Sequence, residues 1–353
     1  MVGITFNPSQ ISRAAVAALP ADHMQRMAPP PKSVMGRPLQ ADEGSWLQLD
    51  STYPEQMRER FQLLATRPNW VIDRTNDPRV PAAEAELRDH VVSWLTRQHP
   101  ATFSREQDVV RSTLTGVQVD LAKADPLAAV AALASEDMLL MLPDEYDAAR
   151  QQHIYRLHSG ALLFPNSWSL RSQFLAPAPH GLERTAYKQW HEARRSSRTA
   201  ARLERSLFEI HDPHVPQYMK HFAEGANRLF NTLAAGRIIW RRNWNAHLSG
   251  DLFRHPDDEP VAVEVMTPKR LLQQGYVRSE HETFLRLPQS GAMVFGIKTY
   301  LWPLADMLAN PVVHSALREA AAQTTPETQA YMGESFSALV KVLNKHKPSA
   351  PTA

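Results

Sequence analysis

Residues 277–304 read VRSEHETFLRLPQSGAMVFGIKTYLWPL, and this stretch decides the fold class. Two runs rich in β-branched and aromatic residues flank Pro288-Gln289-Ser290-Gly291, whose residue types favour a tight turn. The pattern therefore predicts a hairpin. A similar strand-length run, RIIWRRNW, precedes it at 237–244. Successive strands joined by turns are typical of an antiparallel sheet.

Two further segments have the composition of strands. HIYRLHSGALLFP at 153–165 predicts two short strands that turn at Ser159-Gly160. PVAVEVM at 260–266 predicts another strand, because branched side chains dominate it. Neither GxGxxG nor a phosphate-binding loop motif occurs, and strands do not alternate with helices. A doubly wound nucleotide-binding fold is therefore not expected.

Helical patterns surround these strands. AEAELRDHVVSWL at 83–95 repeats apolar residues at helical spacing, and DPLAAVAALASEDMLLML at 125–142 predicts a helix with Pro126 in its first turn. Near the end, Thr325 and Pro326 are a typical N-cap and first helical residue for a helix toward Lys345. Helices before and after an antiparallel sheet define the α+β class.

Composition divides the chain into one domain with two extensions. Residues 1–40 are rich in Pro and Ala and predict an extended arm. Residues 41–345 predict a single domain whose N-terminal part is helical. Residues 346–353 predict a disordered tail. The sequence leaves the oligomeric state open, and a homo-oligomer is compatible with it.

Charge and residue usage exclude several functions. The 353-residue chain has a net charge of +2 and no Cys. The small charge gives no electrostatic basis for binding nucleic acid. Without Cys, this chain cannot supply a disulfide, a thiolate haem ligand or a cysteine-held iron–sulfur cluster. We find no signal-peptide pattern, and the longest apolar run, 127–134, is too short to span a membrane. A cytoplasmic protein without a membrane span is expected.

A histidine-rich segment is the first candidate site. His211, His214 and His221 lie within eleven positions, and Pro213 and Pro216 argue against a regular helix there. Imidazole is a common ligand of transition metals and haem iron. A zinc or non-haem iron site would use two or three such ligands with a carboxylate, whereas haem needs one proximal ligand. Surface histidines with no ligand role are the alternative.

The second candidate is the arginine- and tryptophan-rich strand at 237–244. Alternation places Trp240, Arg242 and Trp244 on one face and Arg241 and Asn243 on the other. One face could contact a flat cofactor while an arginine pairs with its carboxylates. An edge strand with solvated arginines is the alternative interpretation.

The third candidate is the hairpin itself. If the segment is extended, Arg278, Glu280 and Glu282 share one face. A carboxylate there could bind an amine substrate or orient a ligand histidine. A ladder of ion pairs without a ligand explains the same pattern. Lys298 and Tyr300 on the following strand are further candidates to line a pocket.

Taken in order, several segments resemble the haem-dependent oxidative N-demethylase family, whose catalytic subunit acts on dimethylamine-like substrates. The resemblance extends over roughly residues 35–335. The matching segments are Trp46-Leu47-Gln48-Leu49-Asp50 with Tyr53, Ser135 to Met141, Pro165-Asn166-Ser167-Trp168, Ile210-His211 with Val215-Pro216, Arg241-Arg242-Asn243-Trp244, Arg278-Ser279-Glu280, Arg286-Leu287-Pro288 and Lys298-Thr299-Tyr300.

The resemblance implies haem b bound in a PAS-like antiparallel sheet, with His211 as the iron ligand and His214 as the alternative. It implies Arg241, Arg242, Trp244 and Arg278 around the cofactor. Glu280 and Tyr300 are the expected catalytic residues. The implied reaction is a monooxygenase demethylation of a small amine with O₂. The electrons would come from separate flavin and iron–sulfur reductase subunits, while the haem performs the oxidation. A haem-binding sensor without turnover and a non-haem metal enzyme using His211 and His214 are the alternatives.

Two departures from the family pattern concern these residues. His214 interrupts the family's His-x-Pro-Val-Pro, so either His211 or His214 matches its histidine. The family's Glu-Arg-Gln-Thr is here Glu280-His281-Glu282-Thr283. Both departures leave the identity of the substrate open.

Overall fold

The computed structural model describes residues 1–6, 39–40, 46–171, 223–256 and 265–346. The strands in chain order are β1 (Ile4–Thr5), β2 (Leu39–Gln40), β3 (Ile72–Arg74), β4 (Phe103–Glu106), β5 (Val109–Ser112), β6 (Gln118–Asp120), β7 (Asp137–Asp147), β8 (Gln152–Ala161), β9 (Ile238–His247), β10 (Tyr276–Arg286) and β11 (Met293–Pro303). The helices are α1 (Tyr53–Thr66), α2 (Pro68–Val71), α3 (Val80–Gln98), α4 (Pro126–Leu133), α5 (Ala223–Thr232), α6 (Pro268–Gln274), α7 (Leu304–Ala309), α8 (Pro311–Gln323) and α9 (Pro326–Lys345).

The main sheet is antiparallel and has the strand order β2-β9-β10-β11-β7-β8-β3. A smaller sheet has the order β1-β6-β5-β4. Helices precede and follow the strands of the main sheet, which confirms the predicted α+β class. The narrower expectation of a PAS-like sheet stays a prediction.

The predicted hairpin at 277–304 is confirmed. Strands β10 and β11 pair from Tyr276–Pro303 to Arg286–Met293, and the Leu287 N–H donates to the Ala292 carbonyl across the turn. Gly291 adopts a φ of 67°, a left-handed conformation that glycine tolerates without steric cost. Because β10 also pairs with β9 along its length, it lies inside the sheet.

The two faces of the main sheet have different covers. The face that carries Ser279, His281 and Thr283 of β10 packs against helices, with α1 and α4 toward one end and α6–α9 toward the other; we call it the helix face. The opposite face, which carries Arg278, Glu280 and Glu282, contacts α5 and the segments 162–170 and 248–256; we call it the loop face. The central strands are therefore buried on both sides.

The predicted helix at 125–142 is wrong in its second half. Helix α4 ends at Leu133, and Met138 to Leu142 belong to the first half of β7, in which every residue is buried. A strand covered on both faces is a continuous apolar run, which periodicity cannot distinguish from a buried helix. The first half is correct, since Asp125 caps α4 by accepting from the Ala128 N–H.

The predicted turn at Ser159-Gly160 is also wrong. Both residues lie inside the single strand β8, paired with Leu140 and Leu139 of β7. A Cβ on Gly160 would lie 2.7 Å from Leu139 Cδ2 and 2.9 Å from the Met138 carbonyl oxygen. Glycine here permits close approach to the neighbouring strand.

Other predicted elements have mixed outcomes. Helix α3 covers the predicted 83–95, and α9 begins as expected at Pro326, with Thr325 accepting from the Thr328 N–H. Most of the predicted strand at 260–266 lies outside the described residues. Of the predicted N-terminal arm, Ile4 and Thr5 pair with β6 of the smaller sheet.

Candidate functional site

Buried polar side chains lie on both faces of β10 and β11, at the centre of the main sheet. As predicted, Arg278, Glu280 and Glu282 share one face. Register places Arg241 opposite Glu282 and Asn243 opposite Glu280. Because directly opposed residues of antiparallel strands lie on the same face, these five side chains meet on the loop face.

The loop-face side chains form a continuous hydrogen-bonded network. Arg241 is paired with Glu282, and Asn243 Nδ2 donates to both carboxylates, at 2.9 Å to Glu282 Oε1 and 3.1 Å to Glu280 Oε2. Arg278 Nε donates to Glu280 Oε1 at 3.1 Å. Burial raises the pKa of Glu282 despite the opposing charge of Arg241, and the neighbouring Glu280 raises it further. Two carboxylates are thus held side by side between two arginines.

Arg278 also connects this network to the covering segments. Its Nη2 donates to the Phe164 carbonyl oxygen at 2.6 Å, and its Nη1 donates to the Leu252 carbonyl oxygen at 3.2 Å. Only 2% of its side chain is exposed. A guanidinium in this position holds the segments 162–170 and 248–256 against the sheet.

A second polar cluster lies on the helix face around Lys298. The Nζ of this fully buried lysine donates to Ser135 Oγ at 2.7 Å and lies 3.9 Å from Asp50 Oδ1. Tyr300 donates from its hydroxyl to Asp50 Oδ2 at 2.6 Å. Burial lowers the pKa of Lys298, although Asp50 and Glu136 oppose the shift.

Glu136 completes the helix-face cluster. Its Oε1 accepts from the Gln48 N–H at 2.7 Å, while the buried Oε2 has no hydrogen-bond partner in the part of the chain that the structure describes. Burial raises the pKa of this carboxyl, more than Lys298 lowers it. A protonated carboxyl is the form that burial favours at such a position.

The predicted site residues fall into two groups. Arg241, Arg278 and Glu280 lie together on the loop face, whereas Arg242, Trp244 and Tyr300 lie on the helix face. The predicted alternation of the arginine- and tryptophan-rich strand is therefore confirmed. The two predicted catalytic residues, Glu280 and Tyr300, lie on opposite faces. His211 and His214 lie outside the described residues.

The structure contains features that the sequence patterns did not indicate. Arg60 of α1 donates to Asp137 Oδ1 at 2.7 Å and to the carbonyl oxygen of Glu136 at 2.8 Å. Asp137 in turn accepts from the backbone N–H groups of Leu163 and Phe164. These contacts fix the start of β7, directly after Glu136. A charged residue before a long apolar run is the only sequence signal for them.

Asp77, Asp144 and His158 place potential metal-ligand atoms within 4.8 Å of one another. Arg79 pairs with both carboxylates, and Thr75 Oγ1 lies 3.0 Å from His158 Nδ1. The arginine already supplies the positive charge that a metal ion would bring. The cluster is accounted for as an ion-pair network.

This arrangement defines a class: an α+β protein with charged networks buried at the centre of an antiparallel sheet. The chain matches the family described as haem-dependent oxidative N-demethylase, alpha subunit-like, over residues 38–177 and 196–338. These residues are most of the chain, and the chain belongs to this family. The resemblance found in the sequence is thereby confirmed.

The structure brings several of the resembling segments together. Asp50, Ser135, Lys298 and Tyr300 come from three of them and form the helix-face cluster. Those containing Arg241 and Arg278 meet on the loop face. Among the described residues, no helix is long and apolar enough to cross a membrane.

Proposed function

We propose that this chain is the haem-binding catalytic subunit of a monooxygenase that demethylates a small secondary or N-methylated amine. Membership of the haem-dependent oxidative N-demethylase family carries the proposal. We further propose residues 41–345 as one catalytic domain with a PAS-like sheet. The cofactor would be haem b, and flavin and iron–sulfur subunits would deliver electrons. The enzyme would act in the cytoplasm.

The residues of the chain fit the demands of a haem. Its iron needs an imidazole or another axial ligand, and its propionates need cations or N–H donors. The sequence has fifteen His and no Cys, so an imidazole is the natural axial ligand from this chain. On the loop face, Arg254 lies beside His247, whose buried Nε2 has no hydrogen-bond partner among the described residues. Both groups are suited to a carboxylate.

We propose His211 as the iron ligand, with His214 as the alternative. The described chain stops at Arg171 and resumes at Ala223. Leu170, next to the first of these ends, and Phe230 of α5, after the second, both belong to the apolar cluster on the loop face. These two described residues, which precede and follow the histidines in the chain, both lie at the loop face, and this supports the proposal of a site there.

Bound haem would supply the activation of O₂ and the oxidation of the N-methyl carbon. One N-methyl group, O₂, two electrons and two protons give a carbinolamine and water, and the carbinolamine breaks down to formaldehyde and the demethylated amine. Glu280 would accept a hydrogen bond from the amine. Glu282, whose pKa burial raises, would hold a proton close to the reaction. Arg241 and Asn243 would keep both carboxyl groups oriented.

The remaining predicted residues would have supporting roles. Arg278 would hold the covering segments in place, as its carbonyl contacts indicate. Arg242, Trp244 and Tyr300 would shape the helix-face side of the sheet. Since Tyr300 donates to Asp50 on that side, we propose it as a positioning residue for the helix-face cluster.

An absorption spectrum tests the cofactor first. Purified protein with added haem should give a Soret band of histidine-ligated haem. The band should shift or disappear in His211→Ala or in His214→Ala. His153→Ala, at an exposed position of β8, is the matched control and should keep the wild-type band. A colourless protein that instead retains stoichiometric zinc or iron would overturn the haem assignment.

Turnover is tested separately with a panel of methylated amines, O₂ and a surrogate flavin and iron–sulfur reductase. Release of one formaldehyde for each methyl group removed is the expected result, and Glu280→Gln should reduce it at least tenfold by weakening amine binding. Haem binding without formaldehyde from any amine in the panel would favour a sensor over an enzyme.

A further inference from the structure

Arg254 and His247 form a pair on the loop face to which the proposed demethylation assigns no step. Arg254 Nη1 lies 2.7 Å from His247 Nδ1 and donates to Asn166 Oδ1 at 2.9 Å. The remaining guanidinium N–H groups have no hydrogen-bond partner in the described part of the chain. Asp251 lies near enough to raise the pKa of Arg254, but no carboxylate in the described part of the chain forms an ion pair with this partly buried cation.

The backbone around Arg254 is fixed from two sides. Its N–H donates to the Pro165 carbonyl oxygen at 3.1 Å, and its own carbonyl oxygen accepts from the Ser167 N–H at 2.8 Å. Ser167 has a φ of 65°, a left-handed conformation that is uncommon for residues other than glycine. A residue keeps such a conformation only when the surrounding contacts stabilise it. The backbone of Arg254 is therefore hydrogen-bonded to a rigid loop.

The donor and acceptor roles of His247 follow from its contact with Arg254. A guanidinium can only donate, so Nδ1 must accept and the proton of the neutral ring lies on Nε2. Burial, with the charges of Arg254 and Arg278, lowers the pKa of His247 to about 3. The imidazole is therefore neutral at physiological pH. Its Nε2–H is a buried donor without an acceptor among the described residues.

A cation that forms no ion pair with a described carboxylate and an N–H donor without a described acceptor suit the same kind of ligand. Leaving them without a partner costs free energy, because each has lost hydration. Burial and the nearby Arg278 lower the pKa of Arg254, and the charge of Asp251 offsets only part of this shift. A carboxylate suits these groups, since two oxygens can accept from the planar guanidinium and from the imidazole together.

We propose that Arg254 and His247 form a carboxylate-binding site on the loop face. Two sources of the carboxylate are compatible with the proposed function: a haem propionate and the carboxylate of an N-methylated amino acid substrate. The choice between these sources rests on the proposed function, whereas the carboxylate chemistry rests on the geometry of the two residues alone.

Titrations with haem and with haem dimethyl ester test whether the carboxylate that binds at this site is a haem propionate. The ester lacks both propionate charges but keeps the porphyrin and the iron. If the site binds a propionate, Arg254→Gln should weaken haem binding about 10- to 100-fold and leave ester binding unchanged, since a charged hydrogen-bonded pair contributes that much. Arg237→Gln, at an exposed position before β9, is the matched control and should change neither.

A second experiment tests the site without haem and uses nitrogen NMR of histidine-labelled protein as purified. Sarcosine and acetate should both shift the His247 Nε2 resonance, which is assigned by its loss in His247→Gln. Dimethylamine, which has no carboxylate, should not. Arg254→Gln should abolish the shift, and Arg254→Lys should retain part of it if the fold is intact.

The outcomes separate the two proposals. If Arg254→Gln weakens the binding of haem but not of its dimethyl ester, the site binds a propionate. If the variant leaves haem binding unchanged but abolishes the NMR shift caused by sarcosine, the site binds the carboxylate of a substrate. If wild-type protein binds no haem but keeps the sarcosine shift, the proposed function fails and the carboxylate site stands. Equal haem and ester binding in all variants, with no NMR shift from any carboxylate, overturns the site.

Discussion

Lys298 Nζ donates to Ser135 Oγ at 2.7 Å in the interior of the protein, across 163 residues of sequence. The lysine is fully buried, and Asp50 and Glu136 are the acidic groups that lie close to it. The pair joins β11 to the start of β7. Burial raises the pKa of Asp50, and the charge of Lys298 is the largest of the effects that lower it. Removing the lysine would therefore leave the buried carboxylate of Asp50 without its main stabilising charge.

We expect Lys298→Met to lower the free energy of unfolding by about 3–5 kcal/mol, the usual effect of removing one partner of a buried charged pair. Urea unfolding followed by circular dichroism measures it. Lys341→Met, at an exposed position of α9, is the control and should change stability by less than about 0.5 kcal/mol. Adding Asp50→Asn to Lys298→Met should restore part of the loss. Equal stability of the Lys298 and Lys341 variants would contradict the expectation.

Arg60 gives a test of planar recognition by arginine. Its guanidinium contacts Asp137 and the carbonyl oxygens of Ala131, Ser135 and Glu136, and it is fully buried. A lysine keeps the charge but cannot reach these acceptors together. Arg60→Lys should therefore destabilise the protein by about 2–4 kcal/mol.

The control for Arg60 lies on the same helix. Arg58, with 36% of its side chain exposed, lies 3.9 Å from Glu55 in an ion pair on the helix surface. Arg58→Lys should change the free energy of unfolding by less than about 0.5 kcal/mol, as exposed ion pairs contribute little. Thermal and urea unfolding of both variants together decide whether the guanidinium geometry of Arg60 matters.

The hairpin was predictable because its signals are local: a turn of favourable residues between two strand-like runs. The end of α4 was not predictable, because the run of residues 138–142 in β7 is apolar on both faces and shows no alternation of polar and apolar residues. Ser159-Gly160 has the composition of a turn, yet close approach to Leu139 explains the glycine. Local chemistry cannot separate these two uses of glycine.

The candidate site was predictable in part. Alternation along β9 and β10 correctly assigned Arg241 and Arg242 to opposite faces. The partners of Lys298 and Tyr300 could not be predicted from the sequence, since Tyr300 and its partner Asp50 are separated by 250 residues. Arg254 was not predictable, because a single arginine in a loop forms no sequence pattern. It is distinctive only in the structure, where no described carboxylate forms an ion pair with it.

Gly250 tests how the segment that carries Arg254 is held. A Cβ at this position would lie 2.8 Å from Tyr276 Cζ and 2.9 Å from its hydroxyl oxygen. Gly250→Ala should displace the segment 248–256, lower stability by about 1–3 kcal/mol and weaken the carboxylate response of His247. Gly225→Ala in α5 is the control, because no atom outside its local backbone lies within 4 Å.

The two glycine variants should change stability in opposite directions. Alanine in a helix is favoured over glycine, so Gly225→Ala should stabilise the protein by about 0.5 kcal/mol or more. Urea unfolding and the His247 NMR signal give both readouts for each protein. An unchanged His247 response to acetate in Gly250→Ala would show that the loop is not held through Tyr276.

His247 should make stability depend on pH in a defined window. Its pKa is lowered to about 3 in the folded protein, by burial and by the charges of Arg254 and Arg278, against an ordinary value of 6.5. Below pH 6.5 the unfolded chain binds a proton that the folded protein excludes, so stability falls as pH decreases toward 3. The loss from this residue is up to about 1.4 kcal/mol per pH unit, and above pH 6.5 it contributes none.

His247→Gln removes the imidazole that binds this proton in the unfolded chain. The variant should therefore lose less stability than the wild type between pH 6.5 and pH 4, even if its stability at pH 7 is lower. Urea unfolding at half-unit intervals of pH gives both slopes. His153→Gln, at an exposed position of β8, is the matched control and should keep the wild-type slope. If His247→Gln and wild-type slopes coincide, the imidazole is not held neutral beside Arg254, and its Nε2–H cannot be the permanent donor that a carboxylate site requires.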